Sequence, residues 1–343
     1  MRVAWWIALG LMFVLAGCSQ AGATNTAYGG ALNHVHDLLA LRGMPQTVLL
    51  ATHIGLYRTT DAGHAWVEVA GGSGQAMDGL MLFKLAQSPV DPQRVYVLAI
   101  PRTDRPQDAK ATPGLYTSAD AGKTWRLASA ESALPTKSIF TIGAGSASAG
   151  QVYTLIPALA QNGLYASDDS GAHWHALPPL PDAHPTGVMG DPNHAGRILL
   201  WSASTGLYSS DDQGHTWHAA AGTQNGIFSV SLAGTTIYAS GSDGTFLSTN
   251  DGANYTLVNK DFTFSTVVVC ASATTHAYAL AGTAVYASAD GGHTWTQTAA
   301  TTSHPGNLTV DPANAGTAYV GFSYPVGVET TTNAGARWTS VLP

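Results

Sequence analysis

The sequence predicts an all-β fold, a seven-bladed β-propeller with four-stranded antiparallel blades, and three observations carry that prediction. One motif, Ser/Thr-x-Asp/Asn-x-Gly-x-x-Trp/Tyr, recurs seven times at intervals of 38 to 59 residues. A strand-like run precedes each copy and another follows it, so each copy reads as the turn of a β-hairpin. The composition joins 45% hydrophobic residues to only 10% charged ones, with 38 Gly, 13 Tyr and 9 Trp. That is enough apolar material for a core, in a form suited to short strands and tight turns. Self-similarity at this period is the mark of a radially repeated sheet.

In chain order, Met1-Arg2 gives a positive start and Val3 to Gly17 carries no charge. That apolar run is shorter than the roughly 20 residues a helix needs to span a bilayer. It reads instead as the core of an export signal. Leu15-Ala16-Gly17-Cys18 closes it, and residues 1–18 resemble a bacterial lipoprotein signal peptide with its lipobox. The resemblance implies that Cys18 is lipidated and becomes the mature N-terminus, with Ser19 compatible with the outer membrane. Residues 19–32, rich in Ser, Gln, Ala, Gly, Thr and Asn, read as a flexible tether. The expected location is the bacterial cell envelope, lipid-anchored, at the outer membrane or facing the periplasm. The other cysteine, Cys270, lies in a Val-Val-Val-Cys-Ala run and reads as a small core residue.

Residues 33–343 are expected to form one propeller. The acid or amide of the seven motifs is Asp61, Asp120, Asp169, Asp212, Asn250, Asp290 and Asn333. Its side chain and the preceding hydroxyl can accept backbone N–H groups inside the turn, Gly tolerates positive φ, and the aromatic packs into the sheet. Upstream of most copies lie two more strand candidates, such as Asn307-Leu308-Thr309-Val310 and Ala318-Tyr319-Val320-Gly321, giving four strands per unit. These turns resemble the Asp-box, or BNR, repeat of the sialidase superfamily, found also in sortilin-type receptors and photosystem II assembly factors. The resemblance covers about residues 33 to 343 and implies a scaffold role for the seven side chains. A shared fold does not supply chemistry.

Counting strands outward from the channel sorts the loops by face. The hairpin motifs share one face with the turns between first and second strands; the remaining loops form the opposite face, where a ligand is expected. The sialidase resemblance would require an arginine triad, an acid/base Asp and a Tyr–Glu pair, and none can be assembled. Only Arg102 and Arg105, in the Pro101–Gly114 insertion, fall on the ligand face. Asp78 joins them there, with Asp37, Asp104, Asp108 and Asp182, and nothing in the sequence pairs these carboxylates at the separation of about 5 Å that a retaining glycosidase needs.

Histidine gives the sharper pattern. His34, His184 and His304 occupy equivalent positions in blades 1, 4 and 7, His36 lies two residues beyond His34, and His53 ends the second strand of blade 1. With Tyr324, His34, His36, His53 and His304 are expected near the channel mouth where blade 7 meets blade 1. His34, His36 and His53 could hold a transition metal, serve as a proton-sensitive binding site, or simply line the channel. No other cofactor is expected. Around them, Asn33-His34-Val35-His36-Asp37 and Ala51-Thr52-His53-Ile54-Gly55-Leu56-Tyr57 resemble exported bacterial Asp-box proteins often labelled glycosyl hydrolases. With 14 Lys+Arg against 21 Asp+Glu and a net charge of −7, a nucleic-acid partner is not expected. The reading is a monomeric envelope lipoprotein that binds a protein or glycan without catalysis. Its alternatives are a glycoside hydrolase using aspartates and an assembly factor for an envelope complex.

Overall fold

The computed structural model describes residues 33–133, 141–182, 184–223, 225–300, 305–323 and 326–341. Seven four-stranded antiparallel sheets form the blades of a propeller, each built from four strands consecutive in sequence and ordered from the channel outward. Blade 1 comprises β1 (Val35–Ala40), β2 (Val48–Thr52), β3 (Leu56–Thr59) and β4 (Val67–Ala70). Blade 2 comprises β5 (Leu80–Gln87), β6 (Val95–Pro101), β7 (Gly114–Ser118) and β8 (Arg126–Ala130). The innermost strands of blades 3 to 7 are Thr141–Ala144, Pro185–Gly190, Ile227–Ala233, Thr266–Cys270 and Pro305–Val310. Among the described residues, no helix is long and apolar enough to cross a membrane. The lipobox cysteine Cys18 and the tether lie outside the described residues.

The hairpin motif closes the two outer strands of every blade with one bonding pattern. In all seven copies the Ser or Thr hydroxyl accepts the Gly N–H, at 2.8–3.1 Å, and donates to the acid or amide oxygen. That oxygen accepts the N–H four residues on. The hydroxyl-bearing residue is buried throughout, whereas the acid or amide is exposed in six copies and half-buried at Asp120. The residue before the Gly also sits in the left-handed region, as at Ala62 (φ 60°), Ala121 (φ 61°) and Ser170 (φ 65°). Two successive left-handed residues reverse the chain tightly enough to aim both N–H groups inward.

Blades adhere through two sets of aromatics. A fully buried tyrosine recurs on the second strand as Tyr96, Tyr153, Tyr238, Tyr278 and Tyr319, with Leu49 and Leu199 in the same place in blades 1 and 4. Three of these reach forward to a backbone carbonyl of the next blade: Tyr96 to Ala149, Tyr238 to Thr274 and Tyr278 to Ala315, at 2.7–3.1 Å. Some motif tryptophans reach back instead, while Trp125 and Trp295 bond the Gly carbonyl of their own turn. Trp174 donates to Ser129 and Trp338 to Thr298, each in the preceding blade.

Among the described residues, the ring closes without an exchanged strand. Trp66 Nε1 donates to the Val341 carbonyl, Ala40 N–H to Thr309 Oγ1, and Gln46 N–H to Asp311 Oδ2. Cys270 is wholly buried among Tyr278, Leu308 and Val310, the core position its strand pattern implies.

Candidate functional site

The innermost strand of five blades carries a β-bulge near its start, which leaves one residue unpaired and re-aims its side chain. The bulged residues are His36, Phe83, Thr186, Phe228 and Gly306. In blade 1, Val35 pairs with Thr52 and Asp37 with Ala51, so His36 is the extra residue. Beyond the last ladder pair, His53 N–H donates to the His34 carbonyl at 3.0 Å, which makes His34 and His53 cross-strand neighbours. Their rings stack with centroids 4.6 Å apart, and the His36 ring meets them edge-on at 4.4 Å and 5.6 Å. One ring nitrogen from each of the three lies within 4.8 Å of the other two.

Each ring is oriented by a neighbour. His36 Nδ1 lies 2.9 Å from the Leu82 carbonyl, and its Nε2 lies 2.7 Å from His34 Nε2. A carbonyl only accepts, so His36 carries its proton on Nδ1 and faces His34 with a lone pair. His53 Nε2 lies 2.7 Å from Asp104 Oδ1, and Asp104 is clasped in turn by Arg102 through Nε (3.2 Å) and Nη2 (2.8 Å). The side chains of His53, Asp104 and Arg102 are 2%, 8% and 7% exposed, so this is a buried relay from an ion pair to an imidazole. His53 Nδ1 is buried and has no hydrogen-bond partner. Phe83, the bulged residue of blade 2, covers the His36 ring at 5.1 Å.

Burial, then the neighbouring His34, pushes the His36 imidazole down to about 3, so it is neutral at ordinary pH. Burial also lowers His53, with Asp104 opposing and Arg102 assisting. Burial alone would raise the Asp104 carboxyl. The hydrogen bonds from Arg102 and His53 outweigh it and hold the group below the usual carboxylate range.

The other expected site residues fall as follows. Arg102 is in this relay. Arg105 is half-buried, with its carbonyl accepting Asp108 N–H in a 3-10 turn, Pro106–Asp108. Asp78 Oδ2 accepts Gly74 N–H at 2.8 Å. Asp78 and Arg102 line one cleft of about 520 Å³ with Ile54, Ser73, Asp108 and Lys110. His304 and Tyr324 lie outside the described residues. Among the described residues, blade 2 supplies the partners that His36 and His53 find outside the trio. Asp37, the acid nearest the histidines in sequence, turns away to accept Leu38 and Leu85 N–H groups. The acid that does meet them, Asp104, arrives from the Pro101–Gly114 insertion, one of the ligand-face acids the sequence offered, whereas nothing in the sequence points to Phe83 or the Leu82 carbonyl. A bulge has no reliable residue signature, which is why Phe83 could not be placed.

A second cluster, Asp191, His194 and Asp251, sits on the hairpin-turn face. The Arg197 guanidinium lies among these groups, with Nη1 3.3 Å from Asp191 Oδ2 and 2.9 Å from Asp251 Oδ2. It is an ion-pair knot joining blade 4 to blade 5.

No family model matches the sequence, and no curated protein matches it. Solved structures do. A GH74 xyloglucanase from Xanthomonas campestris aligns over 94% of this chain at 18% identity, with a TM-score of 0.72. The chain spans only 56% of that enzyme. YCF48 from Cyanidioschyzon merolae aligns over 90% of this chain and 98% of its own at 15% identity, TM-score 0.62. YCF48 bound to D1 peptide aligns over 91% of this chain and 96% of its own at 14% identity, TM-score 0.60. Likeness at such identities is likeness of architecture, and the described chain is a seven-bladed β-propeller of the same architecture as these proteins.

Proposed function

We propose that the chain is an exported, lipid-anchored propeller of the bacterial cell envelope that binds a polar ligand between blades 1 and 2 without performing chemistry on it. The observation that carries the reading is the cleft of about 520 Å³ roofed by the Pro101–Gly114 insertion, where Asp78 and Asp108 stand beside Arg102 and Lys110. Groups of both signs around a polar depression suit a peptide or a glycan better than an apolar molecule. Three other carboxylates of the ligand face are engaged in ways that disfavour a hydrolase. A glycosidase acid must stay protonated near neutrality, whereas Arg102 and His53 keep Asp104 ionised. Asp37 and Asp182 accept backbone N–H groups and, for Asp182, the Thr205 hydroxyl.

Between the two ligand classes, a peptide is favoured by the peptide-bound YCF48 propeller, which makes an assembly or maturation role in the envelope the specific form of the proposal. The likeness of the hairpin motifs to the Asp-box repeat fits their scaffold role. Peptide and glycan arrays probed with the purified protein test the reading. A peptide hit weakened at least tenfold by Lys110→Glu supports it. Turnover of a glycan, or hits indifferent to both Lys110→Glu and Asp108→Lys, would overturn it. For the anchor, Cys18→Ala should move the protein out of the membrane fraction.

A further inference from the structure

We propose that His34, His36 and His53 hold a divalent transition-metal ion at the channel mouth, with Asp104 and the Leu82 carbonyl as the groups that orient its ligands. Three observations lead there, none of which depends on the ligand cleft. First, three imidazoles from two adjacent strands present one nitrogen each within 4.8 Å of the others, a convergence of neutral nitrogen donors of the kind a first-row ion takes. Second, two of the three are fixed in the tautomer that coordination needs. The Leu82 carbonyl accepts a hydrogen bond from His36 Nδ1–H, leaving Nε2 as a lone pair. Asp104, held as a carboxylate by the two-pronged Arg102 contact, accepts one from His53 Nε2–H and leaves Nδ1 as a lone pair. Carboxylate and carbonyl partners on the far nitrogen are the usual outer shell of metal-binding histidines. Third, His53 Nδ1 is buried without a hydrogen-bond partner on a side chain only 2% exposed. A buried lone pair of that kind costs stability unless something fills it.

Coordination asks for one adjustment. The two Nε2 atoms of His34 and His36 stand 2.7 Å apart, sharing one proton in a hydrogen bond. Two nitrogens about 2.0–2.1 Å from a tetrahedral ion are roughly 3.3 Å apart, so the rings must part by about 0.6 Å and the His34 proton must move to Nδ1. Side-chain rotation at the mouth of the channel supplies that. Three neutral imidazoles suit Zn²⁺, Cu²⁺, Ni²⁺ or Co²⁺ rather than Ca²⁺ or Mg²⁺, and leave a fourth position for water or a ligand atom. The Asp191–His194–Asp251 group is the weaker candidate, because Arg197 already occupies its centre.

The test is equilibrium dialysis of the purified full chain against Zn²⁺ alone, with elemental analysis, followed by the visible spectrum of the Co²⁺ form. One equivalent of zinc and the intense bands of four-coordinate cobalt are expected. His36→Phe, which can pack on Phe83, and His34→Gln should each reduce bound zinc below a tenth of an equivalent while retaining the wild-type melting profile. Asp104→Asn should weaken binding about 10- to 100-fold, the usual effect of losing an outer-shell partner. Binding below a tenth of an equivalent at 100-fold excess zinc in the wild type overturns the proposal. So does zinc that survives His36→Phe but is lost in His194→Ala. Array hits that persist in a chelator would leave the cleft reading standing whatever the metal result.

Discussion

In the hairpin motif, the buried hydroxyl rather than the acid should carry most of the stabilisation. Ser118 is 1% exposed, and its Oγ accepts the Gly122 N–H at 2.8 Å and the Asp120 N–H at 3.2 Å while donating to Asp120 Oδ1 at 2.7 Å. Ser118→Ala strands the Gly122 N–H in the interior. An unsatisfied buried donor costs about 1–3 kcal/mol. Asp120 takes its remaining bonds from Lys123 N–H, Thr124 N–H and Thr124 Oγ1 on the solvent side, where water can replace it. Asp120→Ala should therefore cost about 0.5–1 kcal/mol. Unfolding entropy of about 2.1 cal/mol/K per residue over roughly 300 residues puts these at about 2–5 °C and 1–2 °C in melting temperature. Ser118→Thr keeps the hydroxyl, as Thr59 and Thr331 do in their own turns, and should restore most of the loss. Calorimetry of the four proteins decides the matter. An Asp120→Ala melt lower than that of Ser118→Ala would refute the reasoning.

The forward-reaching tyrosines give a matched pair. Tyr278→Phe removes the donor to the Ala315 carbonyl and should cost about 1 kcal/mol in urea unfolding, whereas Tyr153→Phe, whose hydroxyl is buried without a partner, should be neutral or stabilising. An equal loss in both would show that the hydroxyls do not bind the blades. Asp290 is held down at about 2, from 3.8, chiefly by the Thr294 hydroxyl and N–H and then by the Ser288 hydroxyl. A depressed carboxyl stabilises the fold above its unfolded value and loses that share as pH falls through the folded one, so melting temperature should drop between pH 4 and 2. Thr294→Val should move the Asp290 midpoint up towards 3.8 by carboxyl-carbon NMR, and an unmoved midpoint would dismiss the hydroxyl as the cause.

The blades were legible because each repeat states its own turn. Ser/Thr, Asp/Asn and Gly sit at fixed offsets, and the bonds they make are local, spanning four residues, so sequence alone implied them. Gluing the blades together is a different kind of fact. Tyr96, Tyr153, Tyr238, Tyr278 and Tyr319 recur at one strand position, yet their partners lie some 36 to 53 residues ahead where a partner is present. The recurrence is visible in the sequence; the direction in which it points is not. The motif's emphasis was also hidden, since a hydroxyl residue and an acid recur together in five of the seven copies, and only burial shows that the hydroxyl faces inward.

The histidines show where reading by strand period succeeds and where it stops. Strand alternation puts His34 and His36 on one face in the sequence reading, the structure brings them together with His36 as the bulged residue, and His53 lies opposite His34 because the hairpin register places it there. What completes the group crosses from blade 2. Asp104 comes from an insertion with no repeat counterpart, and the Leu82 carbonyl and Phe83 are placed by a bulge that shifts the register of β5 between Leu82 and Lys84. Blade 1 thus supplies the imidazoles, and blade 2 sets the tautomers of His36 and His53. The division has a consequence for change over time or by design. Substitutions in the Pro101–Gly114 insertion alter the chemistry of His53 without touching the blade that holds it, because Asp104 and Arg102 belong to a loop rather than to the repeated strands. The repeats fix where the rings stand, and the irregular loop beside them decides which nitrogen of His53 carries its proton.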